Sequence, residues 1–494
     1  MELYEWQKRD VEELKQNGFI GLNNSQPGAG KTVVAVQCIR ESGAELTLVI
    51  APQSTHTSAW IPTVRELLGE EARIIGRSRK AEKQALLEFE MGFPGIYLVT
   101  PQLFTRSDVS QWAGDLVICD EIHMLGKPGA VGQKKLSGYN SPAIDKPISQ
   151  RFAMRIALSG TPMRNTFDRM WSVTRFLWPE LNKRGEIAAI NHYMWKADRM
   201  TSAEIVTGFD RDRGERKTAK KWLREREPGR LLSEMPCVVG HYRRERCCEY
   251  HPEGFLPLEE PQVITREVEL TTPQKKAIQE LQDHAITWLE DNPLVSKLPI
   301  TTLTRIRQLC LGEPTVTWEA DEETGEDIMH VDFDEDCKSP MIDETLSILE
   351  SLDEGENVVV YMESSKFASV MTERLRNEGY KTMLYSGQVD SRQRNEELRR
   401  FGTPEGAQVL VGVLSAISTG TDGAQRVANT EIWVERSLDA TTNIQAEARL
   451  DRMGARKQVQ RFLVQDDEGY AAGRLGRELE KRLEIRQSTI KGAA

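Results

Sequence analysis

The chain reads Ser25-Gln26-Pro27-Gly28-Ala29-Gly30-Lys31-Thr32 where a short apolar run ends and a helix-compatible run begins. Two glycines, Gly28 and Gly30, let the backbone approach an anion closely, and the N–H groups at the start of the helix point at it. Lys31 would neutralise charge on the β- and γ-phosphates, and the Thr32 hydroxyl would hold Mg²⁺. A strict phosphate loop has Gly where Ser25 stands. The Gly-Lys-Thr ending still predicts a triphosphate site rather than a plain glycine-rich turn.

A pair of carboxylates lies about 90 residues further along, directly after the apolar run Asp115–Cys119. Asp120 would bind Mg²⁺ through water, and Glu121 would polarise the water that attacks the γ-phosphate. An Asp-Glu pair after a strand is common by itself, but after a phosphate loop it predicts a hydrolytic site. For His123 two interpretations remain: a turn residue, or a link from this site to Gln445 or to the next motif.

Small hydroxyl side chains close the following strand, in Ser159-Gly160-Thr161-Pro162. Ser159 and Thr161 either form a plain turn or couple the nucleotide site to a bound nucleic acid. Because the phosphate loop and the carboxylate pair precede them, we favour the coupling role.

Two arginines lie late in the chain, in Gln445-Ala446-Glu447-Ala448-Arg449-Leu450-Asp451-Arg452. We predict that Arg449 and Arg452 share one face of a helix, because they are three residues apart. A cleft that closes on ATP needs such arginines to stabilise charge on the transferred phosphoryl group, an effect on the order of 10³–10⁵ in rate. Surface ion pairing with Glu447 and Asp451 is the alternative.

The distribution of apolar runs predicts the fold class. Short runs rich in Val, Ile and Leu alternate with helical stretches in two parts of the chain, a pattern typical of buried parallel strands with crossover helices. The first part has strand candidates at Phe19–Leu22, Leu46–Ala51, Gly95–Thr100, Asp115–Cys119 and Arg155–Leu158. The second part has them at Asn357–Tyr361, Lys381–Tyr385, Gln408–Val413, Thr430–Val434 and Val459–Val464. We therefore predict an α/β protein with two parallel-sheet lobes and a helical insertion between them.

The predicted boundaries follow from these patterns. Residues 1–175 form the first lobe, 176–340 the helical insertion and linker, 341–470 the second lobe, and 471–494 a C-terminal helix. The insertion is highly charged and mostly helical in pattern, for example at Thr272–Asp291.

The composition is that of a soluble globular protein, with 39% apolar and 29% charged residues in 494. No run of about 18 apolar residues occurs, so no membrane span is expected, and the N-terminus lacks the pattern of a signal peptide. Seven scattered cysteines do not suggest a disulfide framework, which favours a reducing cytoplasm. The net charge of −11 argues mildly against a protein that coats nucleic acid through bulk charge.

The charge is also uneven along the chain. Residues 211–230 are rich in Lys and Arg around Trp222, whereas residues 319–336 hold ten acids and no Lys or Arg. A solvated helix face and a surface loop are the plainer interpretation. The alternative for the basic stretch is a patch that follows nucleic-acid phosphates.

A group of cysteines and histidines invites a zinc interpretation: Cys237, His241, Cys247, Cys248 and His251. Their spacing is not the paired Cys-x₂-Cys form. We therefore expect no zinc site, and total metal analysis of the purified protein tests this.

Taken in order, these segments resemble the motifs of superfamily-2 helicases, and within them of the Swi/Snf branch. The resemblance spans about residues 3–465. Leu3–Gln7 is similar to the adenine-recognising Q motif, which implies that Gln7 binds ATP. The other segments of the first lobe are similar to motifs I, Ia, Ib, II and III, in that order: Ser25–Thr32, Leu48–Pro52, Val99–Gln102, Asp120–His123 and Ser159–Pro162.

Two places carry the branch assignment. Thr161–Asn165, followed by Trp171 and Trp178, resembles the Swi/Snf continuation of motif III, and Gln445–Gly454 resembles its motif VI. In motif V, Ser418–Gly423 lacks the family's usual apolar residue after the glycines and is closer to generic superfamily-2 forms. This departure affects the assignment to the Swi/Snf branch, but not the prediction of an ATP-driven motor.

The resemblance implies two RecA-like lobes, ATP and Mg²⁺ as cofactors, and translocation on duplex DNA, with branched or single-stranded DNA as further substrates. It implies nucleic-acid contacts at Pro52, Gln53, Ser54, Thr100, Pro101, Ser386, Ser418 and Thr419. It implies coupling roles for His123, Ser159, Thr161, Gln445, Gly420 and Asp422. The family's accessory targeting domains are not seen, which favours a minimal motor of phage or bacterial type in the cytoplasm.

Three other functions are compatible with parts of the sequence to different degrees. A strand-separating helicase acting on branched DNA or on RNA is supported by the generic motif V. A nucleotide-gated clamp without turnover is disfavoured because Lys31, Asp120, Glu121, Arg449 and Arg452 are all present. A nuclease-linked restriction motor is disfavoured because no metal-nuclease cluster is evident.

Overall fold

The computed structural model describes residues 2–138, 146–164, 166–181, 191–210, 215–244, 255–289, 292–295, 299–320, 327–389, 391–420, 423–471, 476 and 479–480. These residues form two compact units, which meet in the sequence between Pro257 and Leu258. None of the helices within this part of the chain is long and apolar enough to cross a membrane.

The first unit is built on a seven-stranded parallel sheet. Its strands, with those of one separate hairpin, are β1 Ile20–Asn23, β2 Leu46–Ile50, β3 Arg73–Ile74, β4 Gly95–Val99, β5 Gly114–Asp120, β6 Phe152–Leu158, β7 Met200–Asp210, β8 Glu215–Glu225 and β9 Val238–Val239. The order across the sheet is β3-β4-β2-β5-β6-β1-β9, and β7 pairs antiparallel with β8. Leu48, Val117 and Ile156 in the central strands are fully buried, because helices cover both faces of the sheet.

Ten helices accompany this sheet among the described residues. They are α1 Glu5–Gln16, α2 Lys31–Ser42, α3 Gln53–Thr55, α4 Ile61–Leu68, α5 Lys80–Glu90, α6 Pro101–Arg106, α7 Val131–Ser137, α8 Arg169–Leu177, α9 His192–Arg199 and α10 Arg230–Glu234. A π-helical turn, His56–Trp60, joins α3 to α4, and short 3₁₀ turns occupy Ile122–Leu125 and Ile148–Gln150.

The second unit has a six-stranded parallel sheet and two hairpins. Its strands are β10 Gln262–Val268, β11 Ile286–Leu289, β12 Asn292–Val295, β13 Thr315–Ala320, β14 Asp327–Asp332, β15 Val358–Met362, β16 Thr382–Tyr385, β17 Val409–Val413, β18 Thr430–Trp433 and β19 Gln460–Asp466. The sheet order is β10-β19-β18-β15-β17-β16, while β11 pairs with β12 and β13 with β14. The helices are α11 Thr272–His284, α12 Pro299–Leu311, α13 Pro340–Ser351, α14 Ser365–Asn377, α15 Ser391–Arg400, α16 Leu414–Gly420 and α17 Ala440–Glu447, with a 3₁₀ turn at Ala424–Arg426.

The predicted α/β class with two parallel-sheet lobes is confirmed. All ten predicted strands are present, and their ends shift by at most three residues. The stretch 176–340 differs from expectation, because beside its helices it contains three hairpins and contributes β9 and β10 to the two sheets. The helix expected over Thr272–Asp291 ends at His284, where Ala285 takes a left-handed φ of 60°. The C-terminal helix expected over 471–494 lies largely outside the described residues.

Candidate active site

The predicted phosphate loop lies between β1 and α2. Gly28 and Gly30 have φ values of 94° and 79°, a backbone conformation that residues with a Cβ disfavour. Gly30 is the N-cap of α2 and has no side chain to offer the first N–H groups of that helix, so those groups are donors for an anion. Lys31 begins the helix, and its Nζ donates to the Ser25 carbonyl at 2.9 Å.

Ser25 itself departs from the glycine of a strict phosphate loop, and its contacts account for the hydroxyl. Ser25 is buried, and its Oγ accepts from the backbone N–H of His241 at 3.2 Å. The segment at β9 thus runs beside the loop. The N–H groups of Leu22, Asn24 and Gln26 donate in turn to the carbonyls of Cys237, Val239 and His241, at 3.1, 2.8 and 2.9 Å.

Gln7 lies against the same loop from α1. Its Oε1 accepts from the backbone N–H of Tyr4 at 3.1 Å, which fixes the orientation of the amide. Its Nε2 lies so close to Gly30 that a Cβ at position 30 would collide with it. The residue carried over as an ATP contact is therefore adjacent to the predicted phosphate loop, and Gly30 is required there for both space and conformation.

Asp120 is the last residue of β5 and Glu121 directly follows it, at the strand end where the pair was expected. The Asp120 Oδ2 atom accepts the indole N–H of Trp60 at 3.0 Å. Burial raises the pKa of Asp120, the adjacent charge of Glu121 raises it further, and Lys31 acts in the opposite direction. Glu121 has a positive φ of 48°, an uncommon conformation for a non-glycine residue, which turns its side chain out of the strand.

Glu121 belongs to a hydrogen-bonded triangle with two predicted coupling residues. Ser159 Oγ donates to Glu121 Oε2 at 2.9 Å, and His123 Nδ1 lies 3.2 Å from the same oxygen and 3.1 Å from Ser159 Oγ. Burial raises the pKa of Glu121, but the contacts with His123, Lys31 and Ser159 outweigh it and hold that pKa below its usual range. The backbone N–H of Thr161 donates to Ser159 Oγ at 3.1 Å, so all three coupling candidates of the first unit are connected to Glu121.

The oxygen donors at this edge suit Mg²⁺. A threonine hydroxyl and a carboxylate, supplied by Thr32 and Asp120, are the hard ligands that this ion prefers. The ammonium of Lys31 lowers the pKa of both Asp120 and Glu121, so it acts electrostatically on both carboxylates. Thr32, Lys31 and Asp120 therefore form a donor set that fits a triphosphate with its metal ion.

The residues of the zinc alternative are engaged otherwise where they are described. His241 Nε2 pairs with Asp10 Oδ1 at 2.8 Å, and the thiol of the buried Cys237 donates to the Glu13 carbonyl at 3.9 Å. Cys247, Cys248 and His251 lie outside the described residues. Within the described part of the chain, no group of three or more His, Cys, Asp or Glu side chains could hold a metal ion.

The predicted nucleic-acid residues of the first unit follow β2 and β4. Gln53 is exposed and Ser54 half-buried, whereas Pro52 and Pro101 are buried. Thr100 caps α6, because its Oγ1 accepts from the N–H of Leu103 at 3.1 Å. Since parallel strands end at one edge, these loops share that edge with the phosphate loop and Asp120.

The remaining candidates belong to the second unit. Ser386 follows β16, Ser418, Thr419 and Gly420 lie in α16, and Gln445 is a buried residue of α17. Asp422 lies outside the described residues. The expectation that Arg449 and Arg452 share a helix face is wrong: α17 ends at Glu447, and both arginines lie in the turns that follow.

This ending of α17 is held by contacts to neighbouring elements. Arg449 Nη2 donates to the carbonyl of Ser418 in α16. Glu447, the expected partner of the arginines, instead lies 3.6 Å from Arg461 of β19, and Arg461 also pairs with the fully buried Glu431 of β18. The end of α17 and the turn after it are thus tied to α16 by the Arg449–Ser418 hydrogen bond and to β19 by the Glu447–Arg461 ion pair.

Trp60 is the residue of this site whose role the sequence did not reveal. A buried tryptophan needs an acceptor for its indole N–H, but the sequence alone does not show which group provides it. The acceptor is Asp120, which lies 60 positions later in the sequence. The two residues meet because β2 and β5 are neighbours in the sheet.

Comparison with known proteins gives two family matches. Residues 1–164 match the family described as type III restriction enzyme, res subunit, and residues 340–454 match the helicase conserved C-terminal domain. The chain is 20% identical over 470 residues to a probable chromatin-remodeling complex ATPase chain of Oryza sativa subsp. japonica, covering 91% of this chain and 37% of that protein. It is 21% identical over 467 residues to the transcription regulatory protein SNF2 of Saccharomyces cerevisiae, covering 90% and 25%.

Among solved structures, a Sulfolobus solfataricus SWI2/SNF2 ATPase core in complex with dsDNA is similar over 99% of this chain and 97% of that chain, with 16% identity and a TM-score of 0.38. The chain spans well under half the length of its curated relatives, 37% and 25% for the two named above.

Proposed function

We propose that this chain, which belongs to the superfamily-2 helicases of the Swi2/Snf2 type, is an ATP-driven motor that couples hydrolysis to movement along duplex DNA. The proposal rests mainly on the arrangement of side chains at one edge of the first sheet. There Lys31 begins a helix behind a phosphate loop, and Glu121 is held ionised by His123 and Ser159.

The chemistry that we assign to these residues is ATP hydrolysis. The N–H groups at the start of α2 bind the phosphates, and Lys31 exchanges the Ser25 carbonyl for the β- and γ-phosphates. Glu121 accepts a hydrogen bond from the attacking water, which needs an ionised carboxylate. Mg²⁺, held by Thr32 and Asp120, supplies charge neutralisation of the phosphates when bound. Gln7 contacts the base, and Arg449 and Arg452 stabilise charge on the transferred phosphoryl group.

The contacts to DNA are assigned to the loops after the parallel strands. Gln53, Ser54 and Thr100 of the first unit and Ser386, Ser418 and Thr419 of the second are their candidates, with Pro52 and Pro101 shaping the loops. Such contacts go mostly to phosphates and therefore carry no sequence preference. The triangle of Glu121, His123 and Ser159 gives the nucleotide site a direct connection to Thr161, and Gln445, Gly420 and Asp422 are assigned the matching role in the second unit.

The experiment that tests this function compares ATP hydrolysis without nucleic acid and with single-stranded DNA, duplex DNA, forked DNA and RNA at one salt concentration. We expect the largest stimulation with duplex DNA. No stimulation by any of the four would remove the motor proposal. The generic form of Ser418–Gly423 favours strand separation as a second candidate. That function would appear as preferential stimulation by forked DNA or RNA together with unwinding of a forked duplex.

A further inference from the structure

The hairpin formed by β7 and β8 is basic on a chain that is acidic overall. Between residues 215 and 226 six Lys and Arg side chains accompany two Glu side chains, whereas the whole chain carries a net charge of −11. Lys220, Lys221 and Arg224 are exposed, and among the described residues none of them pairs with a carboxylate. An acidic protein repels a polyanion on most of its surface, so a local basic surface decides where one can bind.

The base of this hairpin is firmly fixed to the first unit. Arg199 is almost completely buried and pairs with Glu234 at 2.6 Å. The buried carboxylate of Glu225 accepts the N–H groups of Gly229 and Leu231, both at 2.9 Å, and so ties the end of β8 to α10. Beyond this base, β7 and β8 pair only with each other within the described residues. The hairpin is therefore a rooted two-stranded ribbon outside the sheet.

One face of the ribbon has an ordered arrangement of cations around an aromatic ring. Lys220 Nζ lies 4.5 Å and Lys196 Nζ of α9 lies 5.4 Å from the ring centroid of Trp222. The exposed ring of Tyr193 meets the same indole edge-on at 5.6 Å. Cation–π contacts hold both ammonium groups in place before any ligand arrives, which reduces the side-chain entropy lost on binding.

We propose that this ribbon binds the phosphate backbone of duplex DNA, as a contact additional to the loops at the sheet edge. Strand alternation places Lys220 and Trp222 on one face, and Arg224 follows in a β-bulge between Trp222 and Glu225. Residues 220–224 span about 13 Å, which corresponds to about four phosphates along one strand. A two-stranded ribbon is also an element that the major groove of DNA can admit. The inference rests on the proposed function, because it names a second site for the same nucleic acid.

The test compares two triple variants of the full chain. Lys220→Gln, Lys221→Gln and Arg224→Gln together remove three cations from the ribbon. Arg79→Gln, Lys80→Gln and Lys83→Gln remove the same charge from the exposed start of α5. Duplex DNA binding is measured by fluorescence anisotropy at several KCl concentrations, with DNA-free ATP hydrolysis recorded for each protein. The slope of log affinity against log salt is negative, and each phosphate contact contributes about 0.9 to its magnitude. We expect the slope of the ribbon variant to be less steep by up to about 2.7.

The outcomes separate this inference from the function on which it rests. An unchanged slope in the ribbon variant, or an equal loss in the α5 variant, overturns the ribbon as a DNA contact, while duplex-stimulated hydrolysis by the wild type leaves the motor standing. A less steep salt dependence in the ribbon variant, without any DNA stimulation of ATP hydrolysis in the wild type, supports the ribbon contact and contradicts the motor function. A wild type that binds no duplex DNA overturns both. Binding to anionic vesicles that the ribbon variant loses, with an unchanged DNA slope, assigns the surface to a membrane and also overturns the proposal.

Discussion

At the residue scale, Trp60 determines how Asp120 is presented. The ring is fully buried, and its indole N–H donates to Asp120 Oδ2 at 3.0 Å. This hydrogen bond ties the segment after β2 to the end of β5. A group that orients a metal-binding carboxylate affects both metal affinity and turnover.

Replacing Trp60 by Phe keeps most of the buried ring and removes the donor. We expect the Trp60→Phe variant to lose roughly 10–100-fold in ATP turnover and to need more Mg²⁺ for half-maximal rate. Steady-state kinetics over a Mg²⁺ series measure both effects. Trp112→Phe is the matched control, because Trp112 is equally buried and donates to Glu90 at 3.2 Å, away from the site. Equal losses in the two variants would show that Trp60 only packs.

Glu121 is the residue on which hydrolysis depends most directly in our proposal. Glu121→Gln preserves size and hydrogen bonding to Ser159 but cannot accept a proton, so turnover should fall on the order of 10²–10⁴ while ATP still binds. Lys31→Ala should instead weaken ATP binding. Equilibrium binding of a fluorescent ATP analogue and single-turnover hydrolysis distinguish the two. Normal hydrolysis by Glu121→Gln would assign water activation elsewhere.

At the element scale, the end of α17 differs from what a helical repeat suggests. Arg449 and Arg452 have the spacing of one helix face, yet the helix stops at Glu447 and a turn carries them. The spacing of two residues cannot reveal such an ending, because it depends on Arg461 and Ser418, which come from β19 and α16. The arginines therefore depend on a tertiary contact for their position.

The Arg452→Ala variant tests the role of this turn. We expect ATP binding close to that of the wild type and a fall in hydrolysis on the order of 10³-fold or more, because the charge of the transferred group loses its stabilisation. Arg456→Ala, four residues further along and exposed, removes the same charge and should leave the rate unchanged. Wild-type hydrolysis by Arg452→Ala would mean that the arginines of this turn do not act on ATP.

The elements that the sequence predicted share one property, a run of apolar residues long enough to be buried on both faces. β2 and β15 have this property, and their ends were predicted almost to the residue. β10 is an edge strand whose side chains are mostly exposed, including Val263 at 54%, so it carries no such run. In the β7–β8 hairpin, Lys220, Lys221 and Arg224 are likewise charged and exposed. The positions of these strands follow from pairing partners and not from local hydrophobicity.

At the scale of the whole molecule, stability should depend on pH through His192. Burial beside Trp171 and the charge of Lys196 lower the pKa of His192 from 6.5 to about 4, and Asp168 opposes them only in part. Between these values the unfolded chain binds more protons than the folded one, so stability falls as pH is lowered through this window.

This pH dependence can be measured by calorimetry between pH 7 and pH 5. We expect the Tm of the first unit to fall on acidification, and the His192→Asn variant to reduce that fall. His284→Asn removes an exposed imidazole at the end of α11 and should leave it unchanged. An identical acid shift in wild type and His192→Asn would place the dependence on other groups.

The placement of the proposed catalytic residues was therefore more predictable than that of their surroundings. Lys31, Asp120 and Glu121 are recognisable because phosphate binding and hydrolysis demand those residue types in that order. The roles of Trp60 and of the β9 segment were not recognisable from the sequence. Their contacts form only because particular strands become neighbours in the sheet.

That β9 segment also sets an order of events during synthesis. The backbone of residues 22–26 needs carbonyls from Cys237, Val239 and His241, more than two hundred positions later. At translation rates of about 5–20 residues per second, roughly 10–40 s separate the emergence of Lys31 from that of its last neighbours. When the Gly-Lys-Thr sequence has left the ribosome, the segment that pairs with residues 22–26 has not yet been synthesised. A chain whose synthesis stops before residue 237 therefore lacks the hydrogen bonds that complete the phosphate loop.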